Sequence, residues 1–197
     1  MSVFVKICGL TTGHGVAAAV DAGADAVGFV FARSPREISP ADARALSADV
    51  PENVQRVAVM HHPDNDELQA VLGEFEPDVL QTDIGDLAAL EIPQHVGTWP
   101  VIREGDGVED WPAVFVYEGR RSGVGETVDW LQAAEIAGYG HMVLAGGLDS
   151  GNVATAVRDV RPWGVDVSSG VESSPGIKDP EKIRAFISAV RAAETTA

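Results

Sequence analysis

The sequence is poor in cysteine and in positive charge, and it lacks a long apolar run. Cys8 is the single cysteine in 197 residues, so an internal disulfide is excluded. No cysteine–histidine spacing indicates a zinc site. Lys and Arg number 14 against 30 Asp and Glu, a formal net charge of −16. This balance argues against nucleic acid and anionic membranes as partners, because both are bound through clustered basic side chains.

None of the apolar stretches approaches the roughly 20 residues that a membrane-spanning helix needs. The first residues also lack the basic segment, apolar stretch and cleavage site of a signal peptide. Hydrophobic residues make up 45% of the chain and charged residues 22%, which is ordinary for a globular protein. We therefore expect one domain over residues 1–197, located in the cytoplasm and without a metal ion.

Eight short apolar runs alternate with segments of helical pattern. Their near-continuous Val, Ile, Leu and Phe are typical of strands buried on both faces. The predicted strands are 3–7, 25–31, 54–60, 77–81, 99–103, 113–118, 141–146 and 164–169. This alternation predicts a minimal (β/α)8 barrel, with an open doubly wound sheet as the alternative. Only REGDGVEDWP separates the fifth and sixth strands, so we expect helix 5 to be absent or reduced to a turn.

Two clusters of small residues follow the last two predicted strands, LAGGLDSGN at 144–152 and VDVSSGVESSPG at 165–176. Glycine lets backbone N–H groups approach an anion, and a helix N-terminus that follows adds a favourable dipole. In (β/α)8 barrels the loops after strands 7 and 8 often bind phosphate. Either cluster alone could be an ordinary tight turn, but the two together favour a phosphate site. Neither contains a nucleotide-binding motif.

Four segments carry a resemblance to a known family. KICGLT at 6–11, GADAVGFVFARSPREIS at 23–39, AGGLDSGNV at 145–153 and VRPWGVDVSSGVESSPGIKDPEKIRAFI at 160–187 resemble phosphoribosylanthranilate isomerase of tryptophan biosynthesis. The match is poor from about 61 to 127. The resemblance implies a (β/α)8 barrel that carries out an Amadori rearrangement of N-(5-phosphoribosyl)anthranilate, an aminoaldose, to the aminoketose. It implies a small phosphosugar as substrate, no metal and no organic cofactor.

The resemblance also implies roles for single residues. By itself Cys8 would more often be a buried apolar filler, but in KICG it matches the family's general base. Arg36 matches the arginine that binds the anthranilate carboxylate, for which a bidentate guanidinium is suited. Asp166 matches a pocket residue. The phosphate contacts of the family fall on Gly146, Gly147, Ser168, Ser169 and Gly170.

The general acid is displaced from the family's position. The reaction needs an acid to protonate the departing ring oxygen and a base to remove the proton from C2. Aligned back from VDW at 128–130, the family's strand-6 aspartate falls on Val116. Glu118 lies on the same face of that strand, so we expect it to act as the acid if the loop is shortened. The alternative is that Glu118 is a solvated loop carboxylate.

Two further departures lie in the poorly matching segment. Asp83, after strand 4, is a second candidate acid, although we expect it to cap a helix. His61 and His62 stand where the family often has an apolar residue and Asn. Adjacent residues on a strand point to opposite faces, so we expect these histidines to be loop residues and a poor metal pair.

Three alternatives stay open at this point. The same chemistry could act on another phosphoribosyl amine, although Arg36 favours an aglycone with a carboxylate. The chain could instead be a non-catalytic phosphosugar-binding protein. Its oligomeric state, monomer or homodimer, is also open.

The glycines of loop 119–127 predict a mobile lid over the pocket.

Overall fold

A computed structural model describes residues 2–120 and 127–194. Eight parallel strands pair in chain order, and β1 pairs with both β2 and β8, which closes the sheet into a barrel. The strands are β1 (Phe4–Cys8), β2 (Ala26–Val30), β3 (Gln55–Val59), β4 (Val79–Asp83), β5 (Gly97–Arg103), β6 (Val114–Glu118), β7 (His141–Leu144) and β8 (Gly164–Val167). The predicted (β/α)8 barrel is confirmed, and the open sheet is excluded.

Helices cover most of the outside of the barrel. They are α1 (Gly13–Asp21), α2 (Pro40–Leu46), α3 (Asn65–Phe75), α4 (Trp130–Ile136), α5 (Val153–Val160) and α6 (Pro180–Glu194). Capping residues mark where two of these helices begin. Ser39, just before Pro40 of α2, accepts a hydrogen bond from the Asp42 N–H, and Asp64 and Glu67 form a capping box at α3. Among the described helices, none is long and apolar enough to cross a membrane.

Two of the seven connections between successive strands are reduced. The described residues 104–113, between β5 and β6, contain no helix, as the short REGDGVEDWP segment predicts. Trp111 packs against β6 there, with its ring 5.1 Å from that of Phe115 and stacked on Tyr139. Between β4 and β5 a 3-10 helix (Ile84–Ala89) replaces an α-helix, which the sequence reading did not anticipate.

The barrel interior is apolar at one end and ionised at the other. Its apolar layer consists of Ala26, Val57, Val79, Trp99, Val101, Val116, Val143 and Ala145. Phe4 stacks on Trp163 with ring centroids 4.6 Å apart and closes the end where the strands begin. Toward the carboxyl ends of the strands, the interior contains the buried charged residues Lys6 and Asp166. Active sites of (β/α)8 barrels lie at this end.

Candidate active site

A cavity of about 600 Å³ opens at the carboxyl ends of the strands. Most of the residues predicted for the site line it, namely Cys8, Arg36, Glu118, Gly146, Gly147, Asp166, Ser168 and Ser169. Gly170 does not line it. A Cβ on Gly170 would collide with the carbonyl oxygen of Leu148, so its glycine is required by close packing of the two last loops.

Cys8 ends β1 and lies beside a buried ion pair. Lys6, two residues earlier on the same face of the strand, is completely buried, and its Nζ lies 3.0 Å from Asp166 Oδ1. The register of β1 against β8 pairs Lys6 with Asp166. Burial raises the pKa of the Cys8 thiol, and the Lys6 cation opposes that rise. Burial by itself would lower the pKa of Lys6, but Asp166 and Cys8 raise it above its ordinary value.

Gly28 provides the room for this group. It is the β2 neighbour of Cys8 in the sheet. A Cβ on Gly28 would lie 3.1 Å from Lys6 Cε and 3.2 Å from Cys8 Sγ, tighter than ordinary van der Waals contact. Lys6 and Gly28 were not among the predicted site residues. The available signal was the period-2 spacing of Lys6 and Cys8, which places both side chains inside the barrel.

Arg36 is held in place by a carboxylate. Its Nε and Nη2 donate to Glu172 Oε1 and Oε2 at 2.7 and 2.9 Å. Glu172 also accepts from Lys178 Nζ at 2.8 Å, and that ammonium donates to the Ser168 carbonyl at 3.0 Å. Burial alone would raise the pKa of Glu172, but its bonds to Arg36 and Lys178 hold it below its ordinary value. The network joins the predicted carboxylate-binding arginine to the predicted phosphate loop, and Arg36 Nη1 makes no hydrogen bond within the described part of the chain.

The backbone of the loop after β1 leaves room for the Arg36 side chain. Gly9 has a φ of 72°, in the left-handed region that favours glycine. A Cβ there would collide with Arg36 Cδ. Gly9 of the KICG motif therefore lets the Arg36 side chain lie across the end of β1.

Both candidate acids reach the cavity wall, one on each side of an arginine. Arg103, at the end of β5, places Nη2 2.6 Å from Asp83 Oδ1 and Nη1 3.3 Å from Glu118 Oε1. The Glu118 side chain is 15% exposed, so the solvated-loop alternative is wrong. Val116 belongs to the apolar layer below it. Arg103 was not predicted for the site, because nothing in its local sequence distinguishes it from a strand-end surface charge.

Asp83 does not cap a helix. It precedes the 3-10 helix, but its side chain makes no capping hydrogen bond. Its carboxylate is instead taken by Arg103 and by His61 Nδ1 at 3.0 Å. The cap prediction is wrong because β4 extends to Asp83 itself, where the side chain faces the neighbouring strand end.

The two histidines lie side by side. Both follow the end of β3, and His62 has a φ of 48° in the left-handed region. Their ring centroids are 4.0 Å apart. They are loop residues, as expected. The expectation that their side chains point opposite ways is wrong, because that alternation holds only on an extended strand and β3 ends at Val59.

The phosphate loops have the backbone that their glycines indicate. Gly146 and Gly147 have φ values of 92° and 59°. Asn152, just before α5, donates from Nδ2 to the Gly147 carbonyl at 2.8 Å and accepts from the Asp149 N–H at 2.9 Å. These bonds fix the first loop beside Ser168 and Ser169. Residues 121–126 of the predicted lid lie outside the described residues.

The family model of N-(5'phosphoribosyl)anthranilate (PRA) isomerase matches residues 5–189. The chain belongs to this family. The N-(5'-phosphoribosyl)anthranilate isomerase of Bordetella pertussis is 42% identical over an alignment of 219 residues that covers 100% of both chains. That of Citrifermentans bemidjiense is 39% identical over 195 residues, 93% of this chain and 94% of its own.

Solved structures of phosphoribosylanthranilate isomerases share the fold. The structure from Thermus thermophilus has a TM-score of 0.83 at 29% identity, and that from Thermotoga maritima has a TM-score of 0.83 at 31%. Each alignment covers 96% of this chain and 99% of the other. The resemblance drawn from the four motifs is thereby confirmed. The chain is an isomerase of tryptophan biosynthesis with a (β/α)8 fold.

Proposed function

We propose that the chain isomerises N-(5-phosphoribosyl)anthranilate with Cys8 as general base and Glu118 as general acid. The observation that supports this assignment is the shared cavity: the thiol at the end of β1 and the carboxylate at the end of β6 border one space of about 600 Å³. An Amadori rearrangement needs one proton donor and one proton acceptor on the same sugar, and the cavity offers both.

The two ends of the substrate orient the sugar between these groups. The phosphate would lie against Gly146, Gly147, Ser168 and Ser169, which line the cavity. The anthranilate carboxylate would bind the free Nη1 of Arg36. A relative of 31% identity is known in complex with reduced 1-(o-carboxyphenylamino)-1-deoxyribulose 5-phosphate, a molecule with both of these anionic ends. That complex supports a small phosphosugar as the partner of this chain.

Glu118 would protonate the ring oxygen as the C1–O bond breaks, and the nitrogen lone pair would form the iminium ion. Arg103 Nη1, 3.3 Å from Glu118 Oε1, stabilises the carboxylate that remains. The interaction is stronger after proton transfer than before it, and only such differential stabilisation accelerates the step.

Cys8 would then remove the proton from C2, and the resulting enolamine would tautomerise to the ketone. Burial raises the pKa of the thiol and so disfavours its ionisation. The Lys6 cation and the positive charge of the iminium ion both favour the thiolate. Asp166 holds Lys6 at the site. We also propose that the enzyme works in the cytoplasm, where a single catalytic thiol stays reduced.

The test is turnover of freshly prepared substrate, followed by the loss of anthranilate fluorescence. We expect the wild type to turn over and Cys8→Ser to lose about 10²–10⁴-fold in kcat. The matched control is Glu37→Gln, an exposed neighbour of Arg36 outside the cavity, which should retain wild-type kcat. An inactive wild type would refute the function, and an active Cys8→Ser variant would refute the base assignment alone.

A further inference from the structure

A cluster of metal-binding side chains lies at the rim of the cavity and has no part in the proposed reaction. His61 and His62 follow β3, and Asp83 ends β4. One ligand atom from each lies within 4.8 Å of the others. Asp83 Oδ2 faces both rings, at 3.0 Å from His61 Nδ1 and 3.7 Å from His62 Nε2.

These distances match the spacing that a small ion imposes. Zinc bonds of about 2.0–2.2 Å to nitrogen and oxygen in a tetrahedron place ligand atoms about 3.3–3.6 Å apart. The two measured distances bracket this range, so small changes of side-chain torsion would suffice. The His61 and His62 side chains are 58% and 63% exposed, which leaves the remaining coordination position to water.

The backbone conformation at His62 brings the two histidine rings together. In extended strand geometry the two rings would lie on opposite faces. The left-handed φ of 48° at His62 brings them together instead, with ring centroids 4.0 Å apart. A positive φ is uncommon for residues other than Gly, and Asn, Asp and His are the types most often found there. The backbone at His62 therefore places the two imidazoles side by side.

A second layer of hydrogen bonds orients His62. Its Nδ1 lies 2.8 Å from Asp86 Oδ1, and Thr82 Oγ1 donates to Asp86 Oδ2 at 2.7 Å. A carboxylate on one ring nitrogen leaves the other nitrogen as the ligand and increases its basicity, as in many metal sites. In His62 that other nitrogen is Nε2, the atom that faces Asp83.

The surrounding charge favours a cation. A second cavity of about 630 Å³ adjoins the cluster, and its wall contains the carboxylates Asp83, Asp106, Glu109 and Asp110. Of the described residues that line this cavity, Arg103 is the only Lys or Arg, and it binds Asp83 through Oδ1. Oδ2 faces the histidines, and a bound ion would replace the proton that it shares with His61 Nδ1.

We propose that His61, His62 and Asp83 bind one divalent transition-metal ion, best fitted by Zn²⁺, with water completing the tetrahedron. Two imidazoles and one carboxylate form a ligand set that suits Zn²⁺ far better than Mg²⁺, which prefers oxygen ligands in an octahedron. The site adjoins the isomerisation cavity, whose wall includes His61 and Asp83, and the proposal does not depend on the proposed roles of Cys8 and Glu118.

The experiment is calorimetric titration of the chelator-treated protein with Zn²⁺ at pH 7.5. We expect one ion per chain in the wild type and at least about tenfold weaker binding in His61→Ala. His62→Asn should weaken it as much, and its asparagine tolerates the left-handed backbone, so the fold is kept. Asp86→Asn should weaken binding about 10–100-fold through its effect on His62. Mg²⁺ should give no comparable heat.

Two controls decide the location of the ion. His95→Ala removes an exposed histidine elsewhere and should bind Zn²⁺ as the wild type does. Cys8→Ser should also bind it unchanged, because the thiol is no ligand in this proposal. Wild-type affinity in both His61→Ala and His62→Asn would overturn the proposal. So would loss of binding in Cys8→Ser, which would place the ion on the thiol, or absence of Zn²⁺ binding in the wild type.

Discussion

Replacement of Lys6 by Met tests the electrostatics around the general base. Met has a similar length and no charge, so the change removes the cation and keeps most of the packing. Lys6 Cε and Cys8 Sγ both lie close to the Cβ position of Gly28, at 3.1 and 3.2 Å, so the two side chains are within about 6 Å of each other. At this range an opposite charge shifts a pKa by about 1–3 units.

The expected effect on turnover follows from that shift. Loss of the cation should raise the pKa of Cys8. A shift in the range typical of such close charges would reduce the thiolate fraction near pH 7 by about 10–1000-fold. The remaining thiolate is a stronger base, and a Brønsted coefficient of about 0.5 recovers half of the loss on a logarithmic scale. We therefore expect kcat to fall by about 3–30-fold, with the basic limb of the pH–rate profile displaced to higher pH.

A stability control accompanies this variant. Lys6→Met leaves the Asp166 carboxylate without its buried partner, which typically costs about 3–5 kcal/mol. The double variant Lys6→Met/Asp166→Asn removes both charges and should recover most of the stability in urea unfolding. It should restore only part of the pH profile, because the Asp166 charge also raises the pKa of Cys8. If the profile of folded Lys6→Met coincided with that of the wild type, the proposed effect of Lys6 on Cys8 would be wrong.

Two other predictions concern packing and acid stability. Gly28→Ala should lower the free energy of unfolding by about 1–3 kcal/mol in urea titration, because its methyl group would press on Lys6 and Cys8; an unchanged value would show that the two side chains can move aside. Glu172 has a lowered pKa in the folded state, so its contribution to stability is present above the ordinary value of 4.5 and is lost as the pH falls below it. Glu172→Gln should therefore flatten the decrease in melting temperature below pH 4.5, and a decrease as steep as in the wild type would contradict this.

Local patterns were sufficient to predict the barrel and the positions of most site residues. Continuous apolar runs define the strands, and the carboxyl end of each strand faces the same cavity, so Cys8 and the two phosphate loops could be placed from their order alone. The reduced crossover between β5 and β6 was predictable from its length. The 3-10 helix after β4 was not, because the helical pattern of IGDLAAL does not reveal how few turns the chain will form.

Errors arose where a side chain's role depends on a distant partner. Asp83 resembles a helix cap in sequence, but Arg103, twenty residues later, takes its carboxylate. The partner of Lys6 has no local signal, because only the register of β1 with β8 brings Asp166 to it. The left-handed backbone of His62 follows from no local propensity. Such features depend on strand register and loop geometry, which a single sequence does not specify.

The central claim is that Glu118, displaced along β6, supplies the acid. It is tested most directly by kcat of Glu118→Gln beside Asp83→Asn, two isosteric changes on either side of Arg103, each with its fold verified by circular dichroism. The account predicts a loss of about 10²–10⁴-fold in Glu118→Gln and a much smaller loss in Asp83→Asn. Unchanged kcat in Glu118→Gln would contradict it, and a large loss confined to Asp83→Asn would assign the acid to β4 instead.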